Sequence, residues 1–389
     1  MLYLDHAAST PLHPDALRAM MPFLTNEYGN PSGIHSQSRT AKNAVESARR
    51  GIAELLGADK DEIFFTSGGT EAANWAIFGQ TLSPGSHIVT SEIEHHGVLN
   101  AFLELEKRGV NVTLVKPDTE GFVSPESLAE ALTPNTCFVS IMLANNEVGT
   151  IEPIKALVGA TKNICFHTDA VQAVGHIPVD AKDLGVDLLS FSAHKFYGPK
   201  GVGGLYVKKG TKLHKQLFGG HQEKNRRAGT ENVAGIVGMH EALKISIAEM
   251  ESEGRRLTAI RDKLILEIEK HIPFTTLNGA VGIKRLPGNV HVSFDFIEGE
   301  SLLMHLDLQG ICASTGSACS SGSLEASHML LAMGISHEKA NSSVRFSLGK
   351  SNNENDIEKL IPILKASVEK LRGLSPLYDD FIKGAKNGL

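Results

Sequence analysis

A lysine, an aspartate, a histidine pair and one cysteine carry most of the chemical promise of this 389-residue chain. Lys195, in SFSAHKFYGPKG, comes directly after an apolar run and just before Gly198, Pro199 and Gly201. An amine in such a semi-buried turn can shed its proton and form a Schiff base with an aldehyde cofactor. Taken alone, a loop lysine is more often simply solvated. Asp169, in FHTDAVQAVG, also follows an apolar run, with Gln172 one helical turn on. A carboxylate there can keep a pyridine nitrogen protonated, so that the ring draws electrons; by itself it is more often a helix cap.

Ser67, Gly68, Gly69 and Thr70 lie between an apolar run and a helix-like stretch in FFTSGGTEAANW. Glycines admit an anion close to the backbone, and the first amides of a helix with a hydroxyl suit a phosphate. A plain turn with a cap fits the same residues equally well. His95 and His96, in SEIEHHGVLN, point in different directions and make a poor pair of metal ligands. No C-x-x-C partner exists, so no metal site is expected. One of these rings can stack on a planar cofactor, or serve as an ordinary structural histidine. Cys319, in STGSACSSGSLEASHM, has only small and polar neighbours, which suggests an exposed loop and a thiol kept for reaction rather than packing. Cys312, Cys137 and Cys165 lie in apolar runs and are expected in the core.

These residues need a frame. The first two-thirds alternates β-branched runs (EIFFTS, HIVTS, TCFVSIML, NICFHTD, DLLSFS) with helical stretches. Alternation of that kind predicts crossover units and a mostly parallel sheet of about seven strands. VGGLYV, after the Gly/Pro break YGPKG, would close this domain as an antiparallel member. A helix is expected from about Thr40, after the turn-rich GNPSGIHS, and a long helical tract from about Val233 to His271, interrupted near Gly254. NVHVSFDF, ESLLMHLDL, ICAST, SSVRFSL and a final amphipathic helix ENDIEKLIPILKASVEKL then read as a smaller α+β unit. The expected division is a large α/β domain over 15–250 and a small domain from 1–14 and 251–389. In open parallel sheets, ligands bind beyond the carboxyl ends of the strands, and the residues singled out above fall there.

The formal charge of -6 gives no basic surplus for nucleic acid or anionic membrane. The start, MLYLDHAAST, lacks the basic and apolar segments of a signal peptide, and no charge-free apolar run could span a bilayer. Scattered cysteines fit a reducing cytoplasm.

Together these stretches resemble the cysteine desulfurases of the NifS/IscS kind, class-V aminotransferase-like enzymes of the fold-type I pyridoxal-phosphate group. The likeness runs through YLDHAAST, GNPSGIH, TSGGTEA, EHHGV, NNEVG, HTDAVQ, SAHKFYGPKG, RRAGTEN, GSACSSGSLE and SSVRFSLG, in family order. It implies that Lys195 carries pyridoxal 5'-phosphate, Asp169 faces the pyridine nitrogen, and Gln172 the ring oxygen, with Asn146 near that edge and the substrate. It implies that His95 stacks on the ring, and that Gly69, Thr70, Ser192 and His194 hold the phosphate. Thr230 would reach the phosphate of the other subunit of a homodimer, Arg345 would clamp the substrate carboxylate, and Cys319 would receive the sulfur of L-cysteine as a persulfide. Without the resemblance, Arg345 is an ordinary strand arginine in an ion pair. The implied sulfur acceptor is a partner protein, such as an iron–sulfur scaffold. The tail FIKGAKNGL ends soon after the last expected helix, where housekeeping members carry a longer scaffold-docking extension. A selenocysteine lyase, or another lyase or aminotransferase of this fold, would share the cofactor residues.

Overall fold

The computed structural model describes residues 1–315 and 326–387. Strands come in chain order as β1 (Leu2–Tyr3), β2 (Ile63–Thr66), β3 (His87–Ser91), β4 (Asn111–Val115), β5 (Thr136–Ser140) and β6 (Cys165–Asp169). They continue as β7 (Leu188–Ser192), β8 (Gly203–Val207), β9 (Thr275–Leu277), β10 (Asn289–Phe294), β11 (Ile311–Cys312) and β12 (Ser343–Ser347).

The main sheet has the order β2-β8-β7-β6-β5-β3-β4. Its strands are buried along most of their length because helices cover both faces, which explains their near-continuous apolar runs. Within it β8 runs antiparallel to both neighbours, β2 and β7. VGGLYV is thus the antiparallel member expected; it is the last strand of this sheet in chain order and lies inside it, between β2 and β7. Two apolar clusters flank this sheet. A third, including Leu264, Phe294, Val344 and Leu364, packs around the antiparallel sheet β12-β10-β9 and the parallel pair β1-β11.

Several expectations need correction. The helix Val233–His271 is unbroken through Gly254. A glycine there costs roughly 1 kcal/mol, and ion pairs from Arg255 to Glu251 and from Arg256 to Glu253 hold the turns on either side. The early helix starts at Ser36 rather than Thr40, because His35 Nδ1 accepts the Ser38 amide at 3.3 Å and caps it. ENDIEKLIPILKASVEKL is not the last helix: Pro376–Asn387 follows it. The three described cysteines are not core residues, since Cys137 is exposed and Cys165 and Cys312 are half-buried. An apolar strand context did not reveal that Cys137 and Cys165 sit where their strands begin. Among the described residues, no helix is long and apolar enough to cross a membrane.

Candidate active site

The carboxyl ends of β2, β3, β5, β6 and β7 point to one rim of the main sheet, and the turns leaving them enclose a cavity. Gly69 and Thr70 reach it after β2, His95 after β3, Asn146 after β5, Asp169 and Gln172 from β6, and Ser192, His194 and Lys195 from β7. Nine residues singled out in the sequence therefore meet on one surface, together with Ala8, Ala73, Gly97, Met142, Ala144 and Val171.

Lys195 lies in a single turn of 3-10 helix that closes β7. Its Nζ donates to the carbonyls of Ala7 at 2.6 Å and Ala8 at 2.9 Å. The N-terminal segment is fastened to the same turn. The Thr10 amide and hydroxyl both donate to the His194 carbonyl, at 3.0 and 2.9 Å, and Thr10 Oγ1 accepts the Tyr197 amide at 2.8 Å. That last bond supports Tyr197 in a left-handed conformation, φ 66°, unusual for a bulky residue.

Asp169 is 7% exposed. Burial pushes its carboxyl up to about 6, opposed by the Val171 amide 2.9 Å from Oδ1, by the Lys195 cation and by the Ser190 hydroxyl. Opposing effects of this kind leave a carboxyl that is charged at neutral pH and takes up a proton only below about pH 6. Gln172 donates from Nε2 to the Ala7 carbonyl at 3.0 Å, which fixes its amide at the cavity edge.

His95 caps the helix His96–Lys107, its Nδ1 accepting the Gly97 amide at 3.0 Å. Burial first, and then the Lys195, His96 and His328 charges, push its pKa down to about 4. The ring is neutral at physiological pH, and because Nδ1 accepts, its proton sits on Nε2, which can donate. His194 is lowered to about 4 as well, by burial and by the charges of Lys195 and Lys200.

At the other end, the helix Gly69–Phe78 begins without a side-chain cap at Gly68. Its first amides, the Thr70 hydroxyl, Ser192 and His194 line the same end of the cavity. A Cβ on Gly69 would lie 2.6 Å from Val171 Cγ2, so only glycine lets the turn lie against the β6 loop. An uncapped helix start, a lysine amine, a buried carboxyl and a half-buried imidazole on one cavity make a set that fits a phosphorylated, aldehyde-bearing pyridine ring.

Two candidates lie off the cavity wall. Arg345 on β12 is 2% exposed; it pairs with Asp5 at 2.9 Å and donates to the Asn146 carbonyl at 2.7 Å. Thr230 is exposed, although Arg227, three residues earlier, grips Glu71 in the first turn of the Gly69 helix at 2.7 and 2.9 Å. Cys319 lies outside the described residues. Sequence reasoning missed the roles of Ala7, Ala8 and Thr10, which sit in the quoted YLDHAAST.

The comparisons with known proteins agree with this geometry. Residues 2–360 match the family model described as "Aminotransferase class-V". The chain is 53% identical over 385 residues to a "Cysteine desulfurase IscS" of Dictyoglomus turgidum, covering 98% of each. Among solved structures, a "NIFS-LIKE PROTEIN" matches at 35% identity with a TM-score of 0.88, over 95% of this chain and 100% of that one. One titled "SspA in complex with cysteine" matches at 35% identity and 0.79, over 90% and 99%. The chain belongs to the class-V aminotransferase family, among its pyridoxal-phosphate-dependent cysteine desulfurases.

Proposed function

We propose that this protein takes sulfur from L-cysteine, releases L-alanine and keeps the sulfur as a persulfide on Cys319. The observation that carries the proposal is the convergence of Lys195, Asp169, His95 and the Gly69–Thr70 helix start on one cavity. In balance, the cysteine Cβ–S bond breaks and an S–S bond to Cys319 forms; the enzyme thiol becomes a persulfide and the substrate side chain becomes a methyl group. Pyridoxal phosphate, when bound, supplies the electron sink for the pair left at the substrate α-carbon.

The chain's own residues do the rest. Asp169 stays ionised beneath the ring nitrogen. Lys195 Nζ, held at the Ala7 and Ala8 carbonyls, takes the α-proton and returns a proton to the product. Neutral His95 would stack over the ring and, with its proton on Nε2, donate from that N–H toward the substrate. Gly69, Thr70, Ser192 and His194 anchor the phosphate, and Gln172 and Asn146 hold the opposite edge. Arg345, oriented by Asp5 and the Asn146 carbonyl, would clamp the substrate carboxylate.

Support for Cys319 comes from the two ends of its segment. Ser314 pairs with Arg345 through the backbone, and Ser327 Oγ donates to Glu147 at 2.6 Å, one residue from Asn146 of the cavity wall. Thr230 is assigned to the partner's phosphate in a homodimer, consistent with its exposure and with the Arg227 grip on the Gly69 helix. A sulfur-acceptor protein, in the cytoplasm, completes the cycle. The division at about residue 250 is retained, supported by the separate apolar cluster around β10 and β12.

The test is incubation with L-cysteine and a reductant, measuring alanine and sulfide. Wild type should release both in equal amounts, while Cys319→Ala should lose sulfide release and keep the visible cofactor band. Equal yields from the two proteins would remove Cys319 from the reaction.

A further inference from the structure

Behind Asp169, four polar side chains from three adjacent strands form a continuous line inside the main sheet. His167 and Asp169 are two residues apart on β6, so their side chains leave the same face. Strand register sets Ser140 of β5 beside His167, and Ser190 of β7 beside Asp169. Ser140 Oγ is 2.8 Å from His167 Nδ1, and His167 Nε2 is 3.2 Å from Ser190 Oγ. Register sets the Ser190 hydroxyl beside the Asp169 carboxyl, which it helps to keep ionised. Ser140, His167 and Ser190 are all 0% exposed. Polar groups at such depth cost stability unless every one is bonded, and valine or phenylalanine would fill these positions without that demand.

Counting protons fixes the direction of the line. Burial keeps the His167 ring neutral, pushing its pKa down to about 3, so the ring has one N–H. An ionised Asp169 only accepts, and Ser190 therefore gives its single proton to the carboxylate. Ser190 must then accept, which places the imidazole proton on Nε2. Nδ1 is left to accept from the Ser140 hydroxyl. Every donor in the row points toward Asp169, and successive bonds of this kind polarise one another.

We infer that His167, as the neutral Nε2–H tautomer acting through Ser190, is a positioning residue that holds Asp169 ionised and aimed at the cofactor ring. The inference rests on the proposed placement of Asp169 under that ring. Burial works against the carboxylate, and the oriented hydroxyl is one of the three groups that oppose it. Without the row, Asp169 takes up a proton more readily and no longer keeps the ring nitrogen protonated.

Two measurements test this. Nitrogen-15 NMR of histidine-labelled protein, with and without pyridoxal phosphate, should find His167 neutral and protonated at Nε2. An Nδ1–H tautomer or an imidazolium overturns the inference. Second, His167→Phe preserves bulk and removes both ring nitrogens; it should weaken pyridoxal-phosphate binding roughly tenfold or more, as for a lost hydrogen bond to a charged group, and move the visible band. Ser190→Ala should do the same, and the double variant should be little worse than either single one. His167→Gln, which restores a donor toward Ser190, should recover most of the affinity and the wild-type band. A His167→Phe holoenzyme with wild-type affinity and spectrum, or a Gln variant as weak as Phe, overturns the inference alone. A wild-type protein that binds no pyridoxal phosphate sinks the proposed function and this inference with it. Should His167→Phe fail to fold, the smaller Ser190→Ala change and the tautomer decide the matter.

Discussion

The two rims of the main sheet are built from the same strands, yet they are chemically opposite. At the carboxyl rim, titratable groups are buried and pushed far from their ordinary values: Asp169 up to about 6, Glu94 up to about 8, His95 and His194 down to about 4. At the amino rim, burial still raises the Cys165 thiol to about 12 and lowers His87, but the ionised groups include pairs at the surface. Lys208 meets Asp187 at 3.3 Å there, and Cys137 stands exposed beside them. Exposed pairs of that kind contribute little to stability. Strand direction accounts for the contrast, because the turns that gather side chains from five strands all leave from one rim. Stability at that rim is given up for function, and the amino rim is free of that demand.

Substitutions ranked along this contrast should span several orders of magnitude. Lys195→Ala should lower the rate of sulfide release on the order of 10³-fold or more, since it removes both the tether and the base. A residual rate near wild type in a sulfide assay would dissolve the distinction between the rims. Asp169→Asn, nearly isosteric, should cost roughly 100-fold in kcat with the fold intact by circular dichroism. In wild type, activity should fall as pH drops through about 6, where burial brings Asp169 to protonate.

Glu94 tests the stability side. Its Oε1 accepts from Ser91 Oγ at 2.6 Å and the Met142 amide at 2.8 Å, in a fully buried site. Burial raises its pKa from 4.5 to about 8, so between those values the folded chain holds a proton that the unfolded chain has lost. Stability should therefore decline as pH rises through that window, by up to about 1.4 kcal/mol per pH unit from this group. Glu94→Gln should flatten that slope in denaturant titrations at several pH values; an unchanged slope would show the carboxyl to be ionised throughout. The smallest effect belongs to Cys137→Ser at the amino rim. It should shift stability by no more than about 0.5 kcal/mol and leave sulfide release unchanged, and a larger loss would make that rim a structural element too.

Much of the site was legible because its residues are bound to strand ends by type and position. Lys195, Asp169, His95 and Thr70 each follow an apolar run, and the rule for open sheets brings them together. Contributions from backbone atoms were not legible. The Ala7 and Ala8 carbonyls that receive Lys195 carry no side-chain signature, and the pairing of β1 with β11 and the bonds of Thr10 to His194 set them in place. His167 and Ser190 were hidden in a different way. Each is a polar residue within a buried apolar run, and period-two reading of HTD beside LSFS would have put them on one face. Gly254 suggested a break because composition cannot weigh the ion pairs on either side of it. The helix Pro376–Asn387 went unread although Ser375 and Pro376 form an ordinary helix start.

The strap laid over the Lys195 turn has a bearing on biosynthesis. Leu2 and Tyr3 pair with Ile311 and Cys312, Asp5 is gripped by Arg345, and Asn352 Nδ2 bonds the Tyr3 carbonyl at 3.1 Å. Residues 2–5 are thus moored by residues 311–352, and such distant contacts form slowly. A nascent chain halted before β12 would carry Lys195 without the tie between Asp5 and Arg345, so the seat of the lysine is completed late in assembly.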